Sequence, residues 1–108
     1  MKGTVKDLLK ISGVHGYAIV RDRNIQIKLP SKHRFAGAKN QIKILYDDLM
    51  QAQKRPGNTI EIFLEDLVLT VFISGITMLM VLSSTRVNLA LVRMTGKLVI
   101  ANLAKEKF

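Results

Sequence analysis

The sequence predicts an α/β domain of the α+β sandwich kind. It should hold one five-stranded antiparallel sheet with helices on both faces, in the order α-β-β-α-β-β-β-α. Three observations carry this expectation. Apolar residues recur at spacings of three and four in the middle of the chain and again toward its end, the period of a helix packed on a core. Short runs with period two, or with unbroken apolarity, lie between them and read as strands. Asp, Asn, Gly and Pro punctuate these runs, so the strands join through short turns into a meander split by one helix.

The first element is a short helix over residues 4–11. Thr4 is placed to cap it and Asp7 sits three residues on, as in a capping box. Val5, Leu8 and Leu9 form its apolar face, and Gly13 suits the left-handed position just past a helix end. Residues 16–21 read as a strand, Asp22-Arg23-Asn24 as a turn, and residues 25–29 as a second strand that Pro30 stops. Ile25, Ile27 and Leu29 share one face there, and Gln26 and Lys28 the other.

A long helix follows, starting at Lys32 or Arg34 and ending at Gln53. Phe35, Ala38, Ile42, Leu45, Leu49 and Ala52 make its stripe, with Tyr46 and Met50 on one flank. The apolar arc then spans about 160°, wider than the ~100° that one sheet needs. The width asks for a second packing surface, or for Tyr46 and Met50 at a half-exposed rim. Three strands come next, over residues 59–64, 67–73 and 78–83. Ile60, Ile62 and Leu64 alternate with Glu61 and Phe63, while the other two strands are apolar on both sides. Ser84 or Thr85 should cap a last helix that runs to Lys105. Its inner face is expected to hold Val87, Leu91, Met94, Leu98 and Ala101 at heptad-like spacing, interrupted by Gly96.

Composition narrows the function classes. The chain has 108 residues, enough for one domain spanning residues 1–108. It has no Cys, which removes disulfides, thiolate metal sites and cysteine nucleophiles and fits a reducing, cytoplasmic setting. Residues 67–85 carry no charge and mimic a membrane helix. Thr70, Ser74, Gly75 and Thr77, with the β-branched Val71, Ile73, Ile76 and Val81, instead predict two buried strands around a Ser74-Gly75 turn. No transmembrane segment is expected. The net charge is +9, and residues 1–55 hold 12 Lys and Arg against 4 acids. Such a field draws anionic partners or simply keeps the surface solvated.

No catalytic constellation is visible. His15 and His33 sit in separate loops, and Asp47-Asp48 and Glu65-Asp66 are neighbours that point apart or lie at turns. There is no metal-ligand spacing, no glycine-rich phosphate loop and so no cofactor site. The run Lys28, Lys32, His33, Arg34, Lys39, Lys43 is the strongest polar feature. It lacks the interleaved aromatics of a single-strand nucleic-acid binder.

The stretches DLLKISGVHGYAIVRDRNI and IEIFLEDLVLTVFISGITMLMVLSSTRVNLALVRM resemble the roadblock/dynein light chain family across nearly the whole chain. NLALVR at Asn88 to Arg93 is the closest local match. The first hairpin departs from the family in its Asp22-Arg23-Asn24 turn, and Pro30-Ser31-Lys32-His33 replaces small residues common there. The resemblance implies a roadblock/profilin-like fold and a non-enzymatic homodimer, with long helices side by side and third strands paired. Ala38, Ile42, Leu45, Leu49, Ala52, Ile60 and Ile62 would then form the dimer interface. It further implies a regulator or scaffold for a small Ras-like GTPase, with Lys39, Lys43, Tyr46 and Met50 as the partner-binding set. The alternatives are a basic module for nucleic acid or acidic lipid, and a structural subunit of a motor complex.

Overall fold

The structure is a computed structural model that describes residues 3–22, 24–30, 37, 39–52 and 59–105. Its elements are α1 (Val5–Leu9), β1 (Val14–Arg21), β2 (Asn24–Lys28), α2 (Lys39–Ala52), β3 (Thr59–Phe63), β4 (Leu67–Ser74), β5 (Thr77–Ser84) and α3 (Leu89–Lys105). The strands form one antiparallel sheet in the order β2-β1-β5-β4-β3. The expected order of elements and the five-stranded antiparallel sheet are what the structure shows.

Alternation along the strands sorts side chains onto two faces. α1 and α3 cover one, over Ile19, Phe72, Leu79 and Val81. α2 lies on the other, where Ile42 and Tyr46 meet Ala18, Val20, Val71, Ile73, Met78 and Met80. β4 and β5 are buried on both sides, which explains their unbroken apolarity. The uncharged stretch is therefore two strands. No helix among the described residues is long and apolar enough to cross a membrane.

Several boundaries differ from expectation. The Thr4 N–H donates to the Asp7 carboxylate at 3.0 Å, the reciprocal half of a capping box, but α1 stops at Leu9. Gly13 has φ +95°, and β1 begins at Val14 with an irregularity before Gly16. Arg21 pairs with Asn24, so Asn24 belongs to β2 and not to the first turn, and Asp22 is left-handed at φ 53°. Ser74 pairs with Thr77, so the second turn is Gly75-Ile76. The expected start of the long helix at Lys32 or Arg34, and Phe35 in its stripe, lie outside the described residues; Gly37 is a turn and α2 runs from Lys39.

The last helix departs most. Its cap is Asn88, whose side-chain oxygen accepts the Leu91 N–H at 3.2 Å, and not Ser84 or Thr85. Its sheet-facing residues are Val92, Val99, Ile100 and Leu103, while Met94, Leu98 and Ala101 point outward. Of the expected stripe, Val87 lies in the core and Leu91 packs against it, whereas Met94, Leu98 and Ala101 do not, because α3 is apolar on more than one side. Gly96 is explained by position: a Cβ there would run into the Phe72 ring, so its absence lets α3 lie close on the sheet. Arg21 closes the far end, donating to Thr77 Oγ1 at 3.0 Å and to the Leu103 carbonyl at 2.7 Å.

Candidate functional site

α2 is built to grip the sheet with one stripe. Ile42 is buried, and Leu45 and Leu49 are half-buried beside it. Tyr46 is 6% exposed, and its hydroxyl accepts the Asp22 N–H at 3.2 Å and donates to the Ile76 carbonyl at 2.5 Å. One side chain thus ties the helix to the tips of the β1–β2 and β4–β5 hairpins. Lys43 completes the clasp. Its Nζ donates to the Asp22 carbonyl and pairs with Asp47, each at 3.1 Å, and lies 4.9 Å from the centre of the Tyr46 ring.

The expected partner-binding residues lie in different settings. Tyr46, on one flank of the stripe, is buried, because its ring fills the space between α2 and the strands. Lys43 is half-buried and engaged within the chain. Lys39 is exposed, and the Met50 side chain lies outside the described residues. The outer side of α2 instead presents Ile44, 62% exposed. Sequence reasoning missed it, although its signal was present: Ile44 falls about 200° around the helix from Ile42, an apolar residue with no stripe to join.

Beside α2 the same sheet face is less well covered. An apolar groove of about 70 Å³ runs between helix and sheet, lined by Gln41, Ile42, Leu45, Leu69, Met80 and Leu82. Past it, Ile60, Ile62 and Leu64 line the same face at β3 and are only half-buried. β3 is an edge strand, paired with β4 on one side. Glu61 points to the opposite face, where Arg93 of α3 holds it at 3.2 Å and steadies that edge. Of the residues expected at a dimer interface, Ile42 and Leu45 line the groove and Ile60 and Ile62 lie past it, with Ile42 itself buried against the sheet. Leu49 is half-buried on the stripe, Ala38 is outside the described residues, and the Ala52 side chain is not among them.

No group of three His, Asp or Glu residues among the described residues could hold a metal ion. His15 lines a shallow cleft with Leu9, Lys28, Leu29 and Pro30.

The architecture has a counterpart among solved structures. A crystal structure of a roadblock/LC7 domain from Streptomyces avermitilis superposes with a TM-score of 0.64, covering 94% of this chain and 92% of that one at 12% identity. The fold is that of a roadblock/LC7 domain. No protein-family model matches the chain, and no curated protein matches it by sequence. At such low identity the likeness extends to the fold alone.

Proposed function

We propose that this chain acts as a non-enzymatic homodimeric regulator or scaffold that binds a small Ras-like GTPase. The observation that carries the dimer is the half-covered strip on the α2 face. An open apolar groove beside Leu45 adjoins half-buried Ile60 and Ile62, and both adjoin the unpaired edge of β3. A second copy related by a two-fold axis supplies what each feature lacks. Its β3 continues the sheet by main-chain hydrogen bonds, and its α2 fills the groove. Full burial of a Leu-sized side chain contributes about 1.5–3 kcal/mol, so a few per copy hold the pair.

The pair of α2 helices would then expose Lys39 and Ile44 twice. An exposed isoleucine on a helix that also exposes a lysine suits an interface anchor with a steering charge elsewhere on the surface. A GTPase lying across both copies would have its switch segments biased between ordered and disordered states. The described part of α2 carries Lys39 and Lys43 against Asp47 and Asp48, a balance that does not favour nucleic acid at this face.

The test is a pull-down with small Ras-like GTPases loaded with GDP or a GTP analogue, followed by kinetics. Binding in one nucleotide state, weakened by Ile44→Ser through faster release, supports the reading. Failure of every GTPase in both states removes the GTPase and leaves the dimer to be judged by light scattering.

A further inference from the structure

α3 carries two apolar stripes, and the sheet uses one. Val92, Val99 and Leu103 are turned to the sheet, while Met94 and Leu98 are 54% and 44% exposed. At about 100° per residue, Met94, Leu98 and Lys105 lie within roughly 40° of one another on the outer side, and Lys97 flanks them at roughly 60°. α1 lies alongside. Gly3 packs against Leu98, and its carbonyl accepts a hydrogen bond from the Asn102 amide at 2.9 Å. From α1, Lys6 and Lys10 are exposed.

Charge on the two helices is one-sided, and Glu61 of β3 on the same face is paired with Arg93 of α3. Asp7 is the only acid among the described residues of α1 and α3, and it takes the Thr4 N–H at the start of α1. The two helices therefore expose an apolar pair, Met94 and Leu98, together with Lys6, Lys10, Lys97 and Lys105, on the opposite face of the sheet from α2.

We propose that the α1–α3 face docks on an anionic lipid bilayer. Met94 and Leu98 enter the headgroup boundary, and Lys6, Lys10, Lys97 and Lys105 neutralise the acidic headgroups. Mixed apolar and lysine-rich helix surfaces bind interfaces in this way, by buried apolar area plus attraction to anionic lipid. Lysine stems also lie along an apolar layer while their ammonium groups stay in water. Charge favours an acidic bilayer over a partner helix. Met94 and Leu98 are exposed on helices whose other exposed charges are mostly cationic, the combination that an acidic interface receives. Because the two faces are opposite, a GTPase on α2 and a membrane on α3 can be held together.

The experiment uses the full chain with vesicles of phosphatidylcholine, with and without phosphatidylserine. The chain contains no Trp, so Leu98→Trp installs a single reporter at the apolar pair. Expected results are a blue shift of its emission with the acidic vesicles, quenching by brominated lipid, and neither with the neutral ones. Co-sedimentation of the unaltered chain should fall steeply with salt, and Lys97→Ala with Lys105→Ala should weaken it about fivefold per charge removed. Met94→Ser with Leu98→Ser should abolish the tight component while circular dichroism stays unchanged. The proposal is overturned if acidic vesicles leave the reporter unmoved or if binding is indifferent to salt. Binding that survives both α3 variants would assign it to another surface. A shift of the reporter with protein concentration alone would assign the apolar pair to a second copy of the chain.

Discussion

Tyr46 and Gly96 show how much a single position can decide. Tyr46→Phe keeps the ring but leaves the Asp22 N–H and the Ile76 carbonyl without their partner. The expected loss is about 1–2 kcal/mol, read as a lower urea midpoint at unchanged slope. Gly96→Ala runs against the usual sign. In an exposed helix interior the change gains up to about 1 kcal/mol. Here the added methyl meets the Phe72 ring, and overpacking should cost about 1–3 kcal/mol instead. Phe72→Leu in the Gly96→Ala background should relieve part of that strain, which a double-mutant cycle by thermal unfolding would detect. The sequence disclosed that Gly96 was out of place in a helix. It could not disclose the ring beneath it, since Phe72 lies on a strand two elements earlier.

At the level of elements, α3 separates what periodicity can and cannot fix. Its existence and its end were legible, because a long apolar-periodic run closes on Lys105. Which stripe met the sheet was not, because Val92, Val99 and Leu103 compete with Met94 and Leu98 and only packing chooses between them. The two assignments differ in consequence. Ile100→Ala should cost about 2–5 kcal/mol, whereas Met94→Ala should stay within about 0.5 kcal/mol of the unaltered protein; the heptad-like stripe would require a large loss at Met94. For α2 the stripe was read correctly through Ile42 and Leu45, but its width was misassigned: Tyr46 belongs to the chain's own core, and Ile44 faces out. The hairpins were read best. Alternation at Ile25 and Ile27, and at Ile60 and Ile62, fixed their faces, and the small errors fell at turns, where pairing extends one residue further than composition suggests.

For the whole molecule, the half-covered strip makes stability a function of concentration. If two copies close over it, the unfolding temperature should rise with protein concentration, and light scattering should give twice the chain mass at micromolar levels. Leu45→Glu should yield a monomer whose melting no longer responds to concentration, with the α1–α3 face unaffected. A clean monomer from the unaltered chain would remove the dimer. The basic excess was visible in the sequence as a property of residues 1–55, but its distribution was not. Lys6 and Lys10 come from that half, whereas Lys97 and Lys105 come from the far end, on a helix that packs on the same face of the sheet as α1. The strand order has one more effect. β1 lies between β2 and β5, with Tyr17 opposite Val81, so the first hairpin joins the last meander through a single pairing that spans most of the chain. Pairings of such long reach form slowly. A nascent chain paused on the ribosome at Gly75-Ile76 would already hold four of its strands, and would still be two unconnected scraps of sheet.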